Sequence, residues 1–389
     1  MQSTTAQQPL SILMASIVPK RREGGVAGII YNLGREVGHL GHDVSYLFQD
    51  DLVEPGSVSH RFSELVFSMR LGRYIASNRK KFSIVNLHAP AGFLYGLRRR
   101  CHRAGGYPPY VMTLHGLEEW RVHAMMREAK KGRAWNFSLK NRLWHRFYHQ
   151  PRFDWSIRTA DGAHAVCRDV WALLQLKYNL DPDRVAYIPS GVEDRFYIPR
   201  QFSSTENLKL LYAGSWLDQR GIFYIRDALR SVAPKLPGLT MTFAGCGVPP
   251  EVIYQFFGTE LNDRIIVRPV VPANRMQELY AEHDVFLFPS LMEALPLVLM
   301  EAMATGMPVI TTETCGMPDV LVHEFNGLLI PTANASAMEE AIMRLALSVE
   351  LRQRLGGAAR ETMKRYTWER AGRQLESLFK HVLALEAGC

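Results

Sequence analysis

Residues 284–312 read DVFLFPSLMEALPLVLMEAMATGMPVITT. The apolar run Val285 to Phe288, closed by Pro289, predicts a buried strand. Pro308 to Thr312 predicts a second. Between them Pro296 suits the first position of a helix and Gly306 the residue just past its end. The unit is strand, loop, helix, strand, with a right-handed crossover. A helix over 296–305 is apolar on nearly every face, so it is buried. Glu301 is its only ionisable residue, and a buried carboxylate needs a partner. Glu293 stands eight residues earlier, in the loop feeding the helix. That loop lies at the carboxyl end of a strand and the amino end of a helix, where open α/β sheets bind ligands and free N–H groups favour anions. Two carboxylates converging there suit hydroxyl groups held beside a phosphate. The competing reading pairs Glu301 with a structural Arg or Lys.

Pro289-Ser290, Glu293, Glu301-Ala302-Met303-Ala304, Gly306 and Pro308-Val309-Ile310 together resemble the family 4 retaining glycosyltransferases of the GT-B fold. Two glutamates with seven residues between them are that family's signature. The resemblance implies an α/β chain of two Rossmann-like domains facing across a cleft, with a C-terminal helix crossing back to the first.

The whole chain is consistent with this. Its 389 residues suffice for two domains, and 47% hydrophobic with 22% charged residues is ordinary for a globular protein. No apolar run approaches the length of a membrane span, and Leu10 to Val18 reads as a first strand, not a signal peptide. Five scattered cysteines indicate neither a disulfide framework nor a zinc site, and a reducing cytoplasm is expected. The net charge of +8 is uneven. Residues 1–200 hold 29 Lys+Arg against 17 Asp+Glu, which leaves the remainder at −4. A basic first half points to an anionic partner, either a membrane surface, a lipid-linked phosphate or nucleic acid.

After the first strand comes Gly24-Gly25, where the backbone can approach a ligand closely. The resemblance places this loop against the donor diphosphate. Strands at 84–87 and 110–114 end in His88 and His115. Thr113-Leu114-His115-Gly116 matches the family's pattern, in which that His approaches the transferred sugar. His88 has no such match, and a lone His is often structural. From Ala129 to Phe153 there is no acidic residue, seven cations occur, and Trp135, Leu139, Leu143 and Phe147 recur every four residues. That pattern predicts an amphipathic helix facing either the domain core or an anionic membrane at the inner, cytoplasmic face. Asp181-Pro182-Asp183 formally spells the Asp-x-Asp of metal-dependent transferases but reads as a turn.

The polar run 201–207 is the expected linker between an acceptor-side domain at 1–200 and a nucleotide-sugar-binding domain at 201–365, with 366–389 as the returning helix. The second domain opens with strand 208–213 and Gly214-Ser215-Trp216-Leu217-Asp218-Gln219-Arg220-Gly221. The family carries two cations here that clamp the diphosphate. Ser215 replaces one and Arg220 the other, and Arg220 can still bind phosphate bidentately. The strand starting at Ile265 would bring Val270 near the nucleotide base. The resemblance implies a retaining, metal-independent transfer from a nucleotide-diphosphate sugar to a hydroxyl of a glycan or lipid-linked acceptor, in cell-surface glycan or glycolipid synthesis. No cofactor and no nucleic acid are expected. In this reading His115, Glu293 and Arg220 are catalytic. The donor is held by Gly24, Gly25, Ser215, Arg220, Val270, Glu293, Ala294, Leu295, Pro296, Leu297 and Glu301. A nucleotide-sugar epimerase shares the architecture but not the paired glutamates. Ser215 favours a further alternative, a catalytically weak or inactive sugar-nucleotide-binding subunit.

Overall fold

The computed structural model describes the chain except residues 1–7, 21–24, 55, 58, 103–105, 117, 136–137, 203, 205–206 and 389, and the side chains of 60 and 61. It forms two compact units. The first comprises Met1–Gly116, Leu143–Ser190 and Trp368–Cys389, and the second Leu117–Arg142 and Gly191–Thr367.

The first unit is built on β1 (Ser11–Ala15), β2 (Asp43–Leu47), β3 (Ile84–His88), β4 (Tyr110–Leu114), β5 (Gly162–Ala165) and β6 (Val185–Tyr187). All are parallel, in the order β2-β1-β3-β4-β5-β6. Every residue of β3 and β4 is buried, as sheets covered on both faces require. The second unit repeats the plan with β7 (Lys209–Ala213), β8 (Thr240–Ala244), β9 (Ile265–Arg268), β10 (Val285–Phe288), β11 (Val309–Thr312) and β12 (Leu328–Ile330). The order is β12-β11-β10-β7-β8-β9, again all parallel.

The opening stretch folds as strand β10, helix Leu297–Ala304 and strand β11. Pro296 is the residue before the helix rather than its first, in extended backbone at φ −75°, ψ 131°. The helix packs on Val349–Met363 where two glycines meet. A Cβ on Gly356 would lie 2.0 Å from the Gly306 carbonyl oxygen, so the contact requires its absence.

The C-terminal helix Trp368–Ala387 returns to the first unit and packs on helix Gly25–His39. His42 Nε2 meets Glu376 at 2.8 Å, and Arg99 joins Asp161, at 2.8 Å, to Glu386. The unit boundary falls at 190/191, ten residues before the expected one. The segment after Ser190 is tied into the second unit. Arg200 donates to the carbonyls of Tyr280, His283 and Thr305, and Arg360 to those of Tyr197 and Ile198. Leu117–Arg142 also belongs to the second unit, where Trp135 packs on Trp216, Phe223 and Phe256.

The acid-free stretch is not one helix. Helix Glu118–Lys130 ends before Gly132, at φ 68°, and the chain resumes as Leu139–Trp144, a π-turn His145–His149 and helix Gln150–Arg158. Trp135 packs on an aromatic cluster with 38% of its surface exposed, and Leu139, Leu143 and Phe147 are exposed as well. The stripe therefore does not face a core along its length. Asp181-Pro182-Asp183 is a turn, with the Asp181 carboxylate accepting from the Asp183 N–H at 3.0 Å.

Candidate functional site

In each sheet the chain starts in the middle, runs to one edge, then restarts beside its first strand and runs to the other. The reversal in the second unit falls between β7 and β10. Loops leaving the two strands at such a reversal diverge and open a crevice at their carboxyl ends. The loops here are Gly214–Gly221 after β7 and Pro289–Pro296 after β10, the two that sequence reasoning singled out.

The loops are latched together. Gln219 O accepts from the Leu291 N–H at 2.8 Å and from the Ser290 hydroxyl at 3.2 Å. Gly221 sits at φ 75°, and a Cβ there would lie 2.0 Å from Pro289 O. Only glycine permits both that conformation and that approach. Arg220 is thereby delivered to Glu293, with which it forms an ion pair, and its guanidinium lies 5.4 Å from the Phe288 ring centre. Burial lowers the Arg220 pKa, opposed by the Tyr212 hydroxyl, and the guanidinium remains a cation. Its Nε is buried with no hydrogen-bond partner among the described residues. A buried N–H donor of this kind calls for an acceptor. Ser215 is exposed, and its carbonyl accepts from the Tyr212 hydroxyl at 2.9 Å. Ala294, Leu295 and Pro296 are buried and lead into the helix. Leu297 and Val298 open it, so their N–H groups have no intrahelical acceptor.

Among the described residues Glu301, one turn into this helix, is paired with a phenol and makes no ion pair with an Arg or Lys. Tyr280 donates to it at 2.8 Å. Arg200, bonded to the Tyr280 carbonyl, fixes that tyrosine's backbone. Burial pushes the Glu301 carboxyl up to about 7, against the Tyr280 hydrogen bond and the nearby Arg195 charge, while Glu193 adds to the rise. A carboxylate held near neutrality by burial, beside a crevice, marks a candidate binding group. Tyr280, Gln219 and Arg195 escaped sequence reasoning. They come from separate elements, and neither periodicity nor turn chemistry distinguishes them. Val270 follows β9 at the far edge of the sheet and is 82% exposed.

In the first unit the reversal falls between β1 and β3. Gly25, at φ 57°, opens the helix after β1, and a Cβ there would meet nothing. Gly24 lies outside the described residues. His88 and His115, at the ends of β3 and β4, are stacked, with His88 Nδ1 2.6 Å from His115 Nε2. Burial, reinforced by His164, holds His115 down to about 3, and burial with the His115 and His164 charges holds His88 well below its usual value. At neutral pH His115 is therefore a neutral ring that can accept or donate one hydrogen bond.

A family model described as glycosyl transferases group 1 matches residues 194–362, and one described as glycosyltransferase family 4 matches 23–196. A D-inositol 3-phosphate glycosyltransferase of Saccharomonospora viridis is 34% identical over 229 residues, 54% of this chain and 53% of that protein. The chain spans about half the length of the curated relatives it matches. Among solved structures, sucrose-phosphate synthase from Thermosynechococcus elongatus superposes over 97% of this chain and 100% of its own, with a TM-score of 0.77 at 18% identity. Anabaena HepE in complex with UDP-glucose covers 95% and 98%, with a TM-score of 0.68 at 14% identity. Likeness at these identities shows a shared fold.

Proposed function

The chain belongs to the group 1 glycosyltransferases, and from that premise we propose that it moves a sugar from a nucleotide-diphosphate donor to an acceptor hydroxyl. The observation that carries this is the pairing of Arg220 with Glu293 across the two loops that leave the strands at the reversal of the second unit. Arg220 would hold the diphosphate through its unpartnered Nε–H. The N–H groups of Leu297 and Val298 would stabilise charge developing on the leaving diphosphate. Glu293 would take hydroxyls of the transferred sugar and Glu301 the ribose diol. His115, in the first unit, is a neutral hydrogen-bond partner for a bound hydroxyl. In this reading Arg220 and the helix N–H groups meet the diphosphate charge without a metal, and the transfer retains configuration, as the resemblance to the family 4 retaining transferases implies. That a structural neighbour is described with UDP-glucose bound supports a nucleotide-sugar donor. Matches to glycosyltransferases named for amylovoran and colanic acid biosynthesis support a role in glycan synthesis.

No helix of the described residues is long and apolar enough to cross a membrane. The exposed Leu139, Leu143 and Phe147 among Lys140, Arg142 and Arg146 favour peripheral contact with an anionic leaflet.

An affinity ladder tests the donor site. For the nucleoside that binds best among uridine, guanosine, adenosine and thymidine, the diphosphate binds more tightly than the monophosphate, and Arg220→Ala closes that gap. An unchanged gap removes Arg220 from the diphosphate.

A further inference from the structure

The second unit carries a groove that the donor site does not use. Two adjoining cavities of about 420 and 440 Å³ share Ala124, Arg127, Lys130 and Leu291. One wall is helix Glu118–Lys130, whose residues 120, 123, 127 and 130 recur at helical spacing and line one face. The other wall is made by the loops leaving three adjacent strands, with Met292 after β10, Thr314 after β11 and Thr332 after β12. The groove therefore lies along the carboxyl ends of the strands, on the ligand-binding edge of the sheet.

Its charge is one-sided. His123, Arg127 and Lys130 are exposed, and none has an ion-pair partner among the described residues. The one acid lining it, Glu128, is buried and already engaged by Lys131 at 3.0 Å and the Tyr224 hydroxyl at 2.6 Å. Trp120, 38% exposed, adds a flat apolar wall, and Leu291 a second apolar contact. Two loop residues at the groove hold the left-handed backbone that side chains resist, Cys315 at φ 46° beside Thr314 and Ala333 at φ 58°. Backbone held in this region clusters at ligand sites.

We propose that this groove seats the phosphate group of a phosphorylated acceptor, with an adjoining sugar ring lying on Trp120. The proposal rests on the glycosyl-transfer reading for the word acceptor, but the anion site stands on the groove's own charge. It also places an acceptor contact on the same unit as the donor, beside the loop that presents Glu293.

The test uses the full chain, and UDP binding is measured first. With UDP saturating, inorganic pyrophosphate is titrated into the wild type and into the Arg127→Ala/Lys130→Ala variant. The proposal predicts a further pyrophosphate site in the wild type, weakened at least tenfold in the variant, whose UDP affinity stays within twofold. Equal pyrophosphate affinity in both proteins, or none in either, overturns it. If UDP fails to bind, the tightest of GDP, ADP and TDP takes its place; if none of the four binds, the donor reading falls, and the pyrophosphate comparison still decides the groove. Two further arms identify the phosphate's source. Variant-sensitive binding of sn-glycerol 3-phosphate supports a free phosphate ester. Variant-sensitive binding of phosphatidic acid vesicles over phosphatidylcholine vesicles supports a lipid-borne one. Insensitivity in both arms counts against the groove.

Discussion

Replacing Glu301 with Gln should make the protein more stable and a weaker binder of its donor, and both effects should depend on pH. Burial moves the Glu301 carboxyl from an ordinary 4.5 to about 7. Below pH 4.5 the group is protonated whether the chain is folded or not, and it has no effect. Between 4.5 and 7 the unfolded chain releases this proton while the folded chain keeps it, so stability falls as pH rises. Above about 7 the loss levels off at about 3 kcal/mol. A neutral Gln keeps the Tyr280 hydrogen bond, made at 2.8 Å to Glu301, and avoids that loss. The ribose diol, however, donates best to a charged acceptor. Losing that charge weakens donor binding by ~1.5–3 kcal/mol, roughly tenfold to a hundredfold. The wild type should therefore bind nucleotide more tightly as pH rises through 7, and Glu301→Gln should not follow. The assay is denaturant unfolding at pH 5 and 8 without nucleotide, paired with calorimetric titration, at both values, of whichever of UDP, GDP, ADP and TDP binds best. A variant less stable than the wild type at pH 8, or one with undiminished affinity for that nucleotide there, would refute the reasoning.

Three other outcomes follow from the same geometry. Arg220→Ala should lower kcat more than it alters the unfolding midpoint, because it removes the side-chain cation of the β7 loop that faces Glu293; full activity in steady-state assays would displace the phosphates from this loop. Gly221→Ala, whose Cβ would meet Pro289 O at φ 75°, should cost on the order of 2 kcal/mol in denaturant unfolding and loosen the latch that positions Arg220; a neutral effect would show that the two loops can part freely. Removing Lys140, Arg142 and Arg146 together should abolish salt-sensitive co-sedimentation with anionic vesicles without changing UDP affinity; equal partitioning onto neutral and anionic vesicles by the wild type would leave the exposed Leu139, Leu143 and Phe147 without a membrane role.

The fold was legible because its decisive signals are local. The run from Val285 to Phe288, the all-apolar helix and Gly306 each report their own conformation, and they recur in the structure within a residue or two. The loops carrying Arg220 and Glu293 were legible for the same reason, since strand-loop-helix punctuation marks the carboxyl ends of strands. Partners were not legible. Nothing around Tyr280 signals that its hydroxyl ends on Glu301, because the two meet only after separate elements pack. The split of the aromatic stripe was hidden in the same way. Trp135 and Leu139 look alike by spacing, yet one packs on Trp216 and the other is 67% exposed. The placement of helix Glu118–Lys130 in the second unit was also out of reach, since it depends on contacts between residues far apart in sequence, such as Arg133 with Asp227, 94 residues on.

The most direct measurement is turnover. Purified protein incubated with a panel of UDP-, GDP-, ADP- and TDP-sugars is assayed for slow release of nucleoside diphosphate. The account predicts that one donor is hydrolysed well above the rest, and that Arg220→Ala and Glu293→Gln each remove most of that activity while remaining folded. Release from no donor, or equal release by the wild type and both variants, would contradict it.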